Sequence, residues 1–325
     1  MARDSVLILF GTKSLDYLPL IYTQQSDYFS TKLELALNIY VSRKAPRLGE
    51  LYEYPPIFKS HRNYKFMLFL LSPAKTLDYE SKLPKDTPTP TEPLFKKQSA
   101  ELIAILRKCS KKEIGELMSI SEALAELNHK RYLDWTPTFT QKNSRPALLA
   151  FDGDVYEGFN ASTLKPKELA WAQDHLAILS GLYGVLRPLD KMQPYRLEMG
   201  TKLKNQAGAN LYKFWGSNLS NYLNERLQGE KNPIVVNLAS QEYFKSVDLK
   251  ALNAKVIECV FEQEKSGNFK IISFLAKRAR GLMARYAVEH QIKTPAGLQK
   301  FNYEGYRFEP SLSSSDKLVF RKQSV

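Results

Sequence analysis

Residues 67–72 read Met67-Leu68-Phe69-Leu70-Leu71-Ser72, a short apolar run that ends at a small polar residue. Five consecutive apolar residues predict a strand that is buried on both faces, as in the centre of a sheet. Similar runs at 147–151 and 233–238 predict two more buried strands. Helical patterns lie between these strands without a repeating β-α-β period. We therefore predict a mixed α/β (α+β) fold, a single compact domain with a central mixed sheet and surrounding helices.

Apolar spacing and capping residues predict the remaining elements. In one helix Ser121 is the N-cap, and we expect Leu124 and Leu127 to face inward. The proline-rich segment 81–93 predicts a surface loop. A hairpin is predicted from residues 254–261 and 270–274. The predicted helices cover residues 94–109, 111–118, 121–132, 165–179, 211–227 and 278–290.

The charge of the chain indicates an anionic partner. Its 325 residues hold 47 Lys and Arg against 34 Asp and Glu, a net charge of +13, which favours nucleic acid ahead of a membrane surface. No run of 18 apolar residues occurs, so we predict neither a membrane-spanning segment nor a membrane partner. Cys109 and Cys259 lack metal-ligand spacing and are too few for a disulfide scaffold, as expected in a reducing cytoplasm. No signal peptide is recognisable at the N-terminus.

Residues 1–66 differ from the rest of the chain. They contribute only +3 of the charge, whereas residues 67–325 hold 38 basic and 28 acidic residues, or +10. They also lack a sustained pattern that would pair with a neighbouring element. We expect an N-terminal extension outside the core domain and without stable order, followed by the domain at 67–325. Met67 is a plausible alternative translation start.

Residues 172–189 form the first segment with a functional pattern. A predicted helix enters a turn with two glycines, Gly181-Leu182-Tyr183-Gly184, and Pro188 follows. Backbone amides after such a turn can bind phosphate, as in a helix-hairpin-helix, although this turn has one extra residue. A helix that is capped at Gly181 and continues into a packing loop is the alternative.

Residues 270–286 form a second segment with concentrated positive charge. Five basic residues and no acid lie between Gly267 and Val288. We expect Lys277, Arg278 and Arg280 in the first turns of a helix, where positive charge opposes the helix dipole and a bound anion would offset it. A solvated face that pairs with distant carboxylates is the alternative.

Several carboxylates follow predicted strands. Asp152 and Asp154 can hold Mg²⁺ or act as general acid and base, although Asp-Gly-Asp is also an ordinary turn. A lysine beside other cations, such as Lys75, can act as the nucleophile of a glycosylase-like reaction. An enzyme that acts on damaged DNA or nucleotides is therefore the alternative to a binding protein, and we predict no bound metal and no cofactor. Its candidate catalytic residues are Lys75, Asp152, Asp154, Glu198 and Glu242.

Six motifs in a fixed order carry a resemblance to a known family. They are Leu71-Ser72-Pro73-Ala74-Lys75-Thr76-Leu77, Phe151-Asp152-Gly153-Asp154-Val155-Tyr156, Leu179-Ser180-Gly181-Leu182-Tyr183-Gly184-Val185-Leu186-Arg187-Pro188-Leu189-Asp190, Pro194-Tyr195-Arg196-Leu197-Glu198-Met199, Asn237-Leu238-Ala239-Ser240-Gln241-Glu242-Tyr243-Phe244-Lys245 and Lys277-Arg278-Ala279-Arg280-Gly281-Leu282-Met283-Ala284-Arg285. Together they closely resemble the YaaA family of bacterial peroxide stress resistance proteins, over residues 67–322. Residues 1–66 have no counterpart in that resemblance.

The resemblance implies a cytoplasmic protein that protects against hydrogen peroxide and is associated with lowered free iron and DNA repair. It also implies DNA binding, a single mixed domain with a positively charged cleft, and a helix-hairpin-helix-like element. That element maps onto residues 172–189, with its turn at Gly181, Leu182, Tyr183 and Gly184. The cleft maps onto Lys75, Arg187, Arg196, Lys245, Lys277, Arg278, Arg280 and Arg285.

We therefore predict an oxidative stress protein that binds DNA, as duplex or as repair intermediates, largely without sequence specificity. No obligate protein partner is predicted. Direct iron sequestration has little support, because no cluster of His, Cys and carboxylate ligands has helical spacing.

Overall fold

The computed structural model describes residues 66–323, which lie within the unit Asn63–Val325. The predictions for the extension at 1–66 therefore fall, except for Phe66, outside the described residues. Twelve strands occur in the described part of the chain. They are β1 (Met67–Leu71), β2 (Thr76–Leu77), β3 (Arg145–Pro146), β4 (Phe151–Asp152), β5 (Leu176–Ser180), β6 (Gly184–Leu186), β7 (Lys191–Met192), β8 (Ile234–Asn237), β9 (Lys255–Lys265), β10 (Asn268–Lys270), β11 (Arg307–Phe308) and β12 (Lys317–Lys322).

Eleven α-helices occur between residues 66 and 323. They are α1 (Lys96–Leu106), α2 (Lys111–Met118), α3 (Glu122–Asp134), α4 (Ala147–Ala150), α5 (Asp154–Phe159), α6 (Pro166–His175), α7 (Leu211–Trp215), α8 (Asn218–Arg226), α9 (Gln241–Phe244), α10 (Ser273–Glu289) and α11 (Pro295–Leu298). Three short 3₁₀ turns accompany them at Ala161–Thr163, Tyr303–Gly305 and Pro310–Leu312.

Strand β1 lies inside the main sheet, whose order is β11-β12-β9-β8-β1-β5-β6, with β10 paired to β9. It runs parallel to β5, with Phe69 opposite Leu176, and parallel to β8, with Leu68 opposite Val235. All five of its side chains are buried, as the apolar run predicts. The pairs β8–β9 and β9–β12 are also parallel, whereas β5–β6, β9–β10 and β11–β12 are antiparallel. The prediction of a mixed α/β domain with a central mixed sheet is thus confirmed.

The placement of a helix-hairpin-helix-like element on residues 172–189 is wrong. Helix α6 ends at His175, and Leu176–Ser180 is strand β5, which pairs with β1 on one side and β6 on the other. The run Leu176-Ala177-Ile178-Leu179 is apolar throughout, so sequence periodicity does not distinguish a buried helix from a buried strand there. Sheet pairing decides between them, and the segment is a helix followed by a β-hairpin.

The turn of this hairpin is buried, and its glycines serve packing. The Trp215 indole donates a hydrogen bond to the Gly181 carbonyl at 3.0 Å, and a Cβ on Gly181 would collide with the backbone of Leu197. Gly184 has φ +66°, and a Cβ there would lie 2.6 Å from the Trp215 ring. Leu182 and Tyr183 are fully buried. The turn therefore packs in the core, where its amides have no access to a phosphate.

Four other predictions need correction. Residues 147–151, predicted as a strand, form α4 and the start of β4, again from an all-apolar run. Leu124 and Leu127 are exposed, because α3 buries Ala125, Asn128 and Tyr132 instead. The helix predicted at 211–227 is interrupted at residues 216–217, between α7 and α8. Helix α10 begins at Ser273, five residues before the predicted start, so Lys277 lies beyond its first turn.

The other elements follow the sequence more closely. Ser121 caps α3, and the segment 81–93 lies outside helices and the main sheet. A hairpin forms from β9 and β10, but its second strand covers residues 268–270 and not 270–274, because Ser273 and Phe274 begin α10. Among residues 66–323, no helix combines the length and the apolar character needed to cross a bilayer.

Candidate functional site

Four loops meet where parallel strands β1, β5 and β8 reach their carboxyl ends. Ser72 follows β1 and Ser240 follows β8, and the Ser240 N–H donates to Ser72 Oγ at 2.8 Å. The Tyr156 hydroxyl donates to the Ser72 carbonyl at 3.0 Å, which brings α5 to the same place. In open α/β sheets this end of the strands is where ligands bind. We call it the carboxyl edge and define it by residues 72–76, 152–156, 195–200 and 239–245.

A triad of charged side chains lies on this edge. Glu198 Oε1 accepts from Lys75 Nζ at 3.1 Å and from Arg196 Nη2 at 3.0 Å. The Lys75 side chain is 63% exposed, whereas that of Arg196 is only 16% exposed. Arg196 Nε is buried and lacks a hydrogen-bond partner among the described residues. The Lys75 ammonium group is therefore exposed to solvent. It is paired with Glu198, which Arg196 also binds.

The second acidic candidate on the edge, Glu242, has a structural contact. Its Oε1 accepts a hydrogen bond from the Gly200 N–H at 2.8 Å, which ties α9 to the loop that carries Glu198. The Tyr212 hydroxyl donates to the Glu242 carbonyl at 3.0 Å. Lys245 Nζ lies 5.2 Å from the centre of the Tyr212 ring, and Lys245 is exposed. This contact adds a second exposed lysine to the edge.

The two aspartates lie at the end of β4 and the start of α5. Asp152 on β4 pairs with Thr76 on β2, and Thr76 directly follows Lys75 in the chain. Asp154 begins α5, and its Oδ2 lies 3.9 Å from Lys277 Nζ on α10. The Lys277 side chain is 53% exposed, so a third accessible lysine borders the edge. Between residues 66 and 323, no group of three or more His, Cys, Asp or Glu could hold a metal ion.

Buried tyrosines lie beneath the charged residues. Burial raises the pKa of Tyr156, Tyr195 and Tyr243 well above the ordinary value, and neighbouring tyrosines raise it further. Carboxylates add to this rise for Tyr243, whereas the hydrogen bond with Ser180 partly offsets it for Tyr195. These phenols therefore stay protonated at neutral pH and act as hydrogen-bond partners. One of them, Tyr195, lies 2.6 Å from Ser180 Oγ.

The remaining cationic candidates are engaged elsewhere. Arg187 forms an ion pair at 2.8 Å with Asp190, whose side chain is fully buried and also accepts from Thr91 Oγ1 at 2.6 Å. Strand β6 runs antiparallel to β5 and ends at Leu186, which lies opposite Ile178. Arg187 follows Leu186 and therefore lies away from the carboxyl end of β5. Arg187 is thus held by a buried aspartate and lies outside the carboxyl edge.

The arginines of α10 also have protein partners. Arg278 binds Glu304 through Nε at 3.0 Å and Nη2 at 2.6 Å. Arg285 pairs with Glu289 at 2.8 Å and donates to the Phe159 and Asn160 carbonyls. Arg278 and Arg285 line a groove of about 470 Å³ beside the 3₁₀ turn Tyr303–Gly305. Arg280 is half-buried, and this burial lowers its pKa although Glu258 acts in the opposite direction.

The structure thus divides the sequence-based candidates into groups. Lys75, Arg196, Glu198, Glu242 and Lys245 meet on the carboxyl edge. Asp152 and Asp154 also lie in the edge loops, and Lys277 borders the edge. The glycine turn is buried, Arg187 pairs with a buried aspartate, Arg278 and Arg285 line the groove, and Arg280 is half-buried on α10. Sequence reasoning missed the Ser72–Ser240 contact and Tyr156. The position of each serine directly after a predicted strand was the available signal.

Comparison with known proteins covers the same region of the chain. Residues 67–312 match the family described as "Peroxide stress protein YaaA". The chain is 63% identical over 258 residues to the UPF0246 protein Bpet1601 of Bordetella petrii, a match that covers 79% of this chain and 100% of that protein. It is 61% and 58% identical over 259 residues to UPF0246 proteins of Paracidovorax citrulli and a Polaromonas species, covering 80% of this chain and 100% of each relative. The chain belongs to the YaaA family of peroxide stress proteins.

Proposed function

We propose that this protein binds DNA through the carboxyl edge, largely without sequence specificity, as part of a bacterial response to hydrogen peroxide. The observation that supports DNA binding most directly is the convergence of three exposed lysines, Lys75, Lys245 and Lys277, from distant parts of the sequence. Ammonium groups on flexible stems contact phosphates as point charges and carry no base information. The excess of +10 on residues 67–325 supports the same partner.

The family supports the physiological setting of the proposal. Its members are described as peroxide stress proteins. Hydrogen peroxide damages DNA through its reaction with ferrous iron, so we place the protein in DNA protection or repair and in the context of iron homeostasis. We further propose a cytoplasmic location, where a bacterial chromosome is accessible.

Binding can be tested by fluorescence anisotropy with duplexes of unrelated sequence. If about six phosphates are neutralised, affinity falls by roughly three orders of magnitude between about 50 and about 200 mM salt. Affinity that is independent of salt, or restricted to one sequence, would contradict the proposal.

The contribution of the edge can be measured with Lys75→Gln, Lys245→Gln and Lys277→Gln combined. The slope of log affinity against log salt should decrease by about three, one for each lost phosphate contact. Lys108→Gln, Lys112→Gln and Lys130→Gln combined are the matched control, because these three lysines are exposed but lie outside the edge loops. An equal effect of both variants would show that charge alone, and not the edge, determines binding.

A second candidate function is supported by the distance of 3.1 Å between Lys75 Nζ and Glu198 Oε1. Glu198 also binds Arg196, so a second cation lies beside Lys75, and a lysine next to another cation can serve as the nucleophile that an enzyme acting on damaged DNA or nucleotides requires. Asp152, Asp154 and Glu242 are the other carboxylates of the region.

Catalysis can be tested by incubating the protein with damaged and intact DNA, with and without Mg²⁺. Released bases or strand breaks that depend on Lys75 and Glu198, but not on Lys245, would establish the enzyme. Intact substrate in every reaction would leave DNA binding as the sole activity.

A further inference from the structure

The turn at residues 302–305 is tied to helix α10 by two of its side chains. The Tyr303 hydroxyl donates to Glu289 Oε2 at 2.5 Å, at the end of the helix. Glu304 accepts hydrogen bonds from Arg278 Nε at 3.0 Å and from Arg278 Nη2 at 2.6 Å. The turn is therefore held against α10 at two separate places.

The backbone of Glu304 adopts a conformation that is unfavourable for a residue with a long side chain. Its φ and ψ are +50° and +28°, in the left-handed region, and Gly305 follows with φ +84°. Glycine enters this region freely, whereas a residue with a Cβ does so against steric resistance. Strained backbone of this kind clusters at functional sites. The contact that Glu304 makes with Arg278 is therefore a candidate for a functional contact.

The turn, and not the helix, is the part that can move at this contact. Helix α10 packs so closely on α5 that a Cβ on Gly158 would lie 2.3 Å from the Arg278 carbonyl oxygen. The side chains of Arg278 and Glu304 are 39% and 35% exposed, and partly exposed ion pairs contribute little to stability. The groove of about 470 Å³ leaves open space beside Glu304. Glu304 can therefore separate from Arg278 without a change in α10.

Arg278 lies next to the proposed DNA-binding surface. It directly follows Lys277, whose Nζ lies 3.9 Å from Asp154 Oδ2 at the carboxyl edge. A planar guanidinium binds a carboxylate and a phosphate through the same pair of N–H groups. Glu304 consequently occupies the position that a phosphate of bound DNA would take on Arg278.

The charges around Arg278 favour DNA over a small anion as the group that replaces Glu304. The hydrogen bond with Glu304 raises the pKa of Arg278, and the charge of Glu157 adds to this rise although burial opposes it. A small anion in solution would have to overcome both carboxylates unaided. DNA that is bound to the edge lysines presents its next phosphate at a high effective concentration.

We propose that Glu304 is an internal competitor of DNA, which occupies Arg278 in the free protein and is displaced by a phosphate when DNA binds. The turn at residues 302–305 thereby lowers the affinity for DNA. This inference rests on the proposed DNA binding through the carboxyl edge. It assigns Arg278 to the binding surface in the bound state and identifies the group that covers it in the free state.

The experiment measures the affinity for one intact duplex by fluorescence anisotropy. Glu304→Gln removes the competing carboxylate and should raise the affinity roughly 2- to 5-fold, the range expected when an exposed ion pair no longer has to be broken. Glu304→Gly should give the same gain in a backbone without strain, because glycine adopts a positive φ freely. Arg278→Gln should reduce the slope of log affinity against log salt by about one.

Glu157→Gln is the matched control, because it removes the same charge from the same groove and leaves the pair of Arg278 and Glu304 in place. It should raise the affinity less than Glu304→Gln does. In an Arg278→Gln background, the gain from Glu304→Gln should fall to the level of this control, because the carboxylate no longer covers a phosphate-binding group.

Three results would each overturn the inference. They are equal gains from Glu157→Gln and Glu304→Gln, a gain from Glu304→Gln that persists in full in the Arg278→Gln background, and no gain from Glu304→Gln or Glu304→Gly. Salt-dependent binding that requires the edge lysines would in each case still support the proposed function. If the duplex does not bind at all, the proposed function and the inference both fail.

Discussion

The turn at residues 181–184 and the carboxyl edge both have sequence features of anion binding, but the fold places them in opposite environments. The turn has two glycines and a nearby arginine, yet all four of its residues are buried. The edge has no glycine signature, yet it gathers Lys75, Lys245 and Lys277 with their side chains accessible. Accessibility, and not local sequence chemistry, separates a packing motif from a candidate binding surface.

The largest expected effect concerns the buried ion pair next to the turn. Arg187→Met leaves the Asp190 carboxylate buried without its cation, which should lower the free energy of unfolding by about 3–5 kcal/mol. Chemical denaturation followed by circular dichroism measures this change. If the Arg187→Met protein remained stable and lost only its DNA affinity, Arg187 would have to be counted among the DNA-binding residues.

A substitution in the glycine turn should also lower the free energy of unfolding. Gly181→Ala places a methyl group against the backbone of Leu197, so we expect a loss of about 3 kcal/mol or more of stability. Gly267→Ala in the exposed hairpin turn is a useful control, because nothing lies within 4 Å of a Cβ there and only the positive φ of +76° disfavours alanine. Equal losses in the two variants would contradict a packing role for Gly181.

The edge lysines should show the reverse behaviour. Lys75→Gln removes one ion pair with a half-exposed carboxylate, and the free energy of unfolding should change by less than about 1 kcal/mol. Its effect should appear in DNA affinity at low salt and diminish as salt increases. If Lys75→Gln lowered the free energy of unfolding without lowering DNA affinity, the edge lysines would not differ from the core residues in their role.

The smallest effect is expected at the cysteines. Burial raises the pKa of Cys259 to about 12, and burial, assisted by Glu113, raises that of Cys109. A raised thiol pKa leaves less thiolate at neutral pH, and thiolate is the form that reacts with peroxide. The folded protein should therefore show almost no cysteine oxidation by hydrogen peroxide in intact-mass spectrometry. Rapid sulfenic acid formation at either site would indicate a thiol-based peroxide response.

Sequence patterns were sufficient where a side-chain pattern excludes alternatives. The apolar run of β1, the Ser121 cap of α3, and the first strand and turn of the β9–β10 hairpin were all predictable. Apolar runs that fit either a helix or a strand were not, and both 147–151 and 176–180 were assigned the wrong element. In each case pairing or packing with distant residues made the choice.

The candidate site shows the same division. The sequence identified Lys75 by its residue type, Glu198 by its position near arginines and Glu242 by its position after a strand, but it did not show their contacts. Nothing local in the sequence distinguishes Arg187, bound to a buried aspartate, from Lys277, which reaches the edge. Likewise, the apolar residue Phe274 gave no sign that it would be exposed.

The sequence by itself determined the mixed fold class, the central buried strand, the positive charge and the family. Each of these depends on composition or on short-range pattern, which a linear chain displays directly. The tertiary structure alone decided which charged side chains are accessible and which form ion pairs within the protein, because burial and ion pairing depend on residues far apart in the chain. Lys75 and Glu198 are separated by more than a hundred residues. They meet because β5 pairs with β1 and because the loop that carries Glu198 packs on Gly181 at the end of β5.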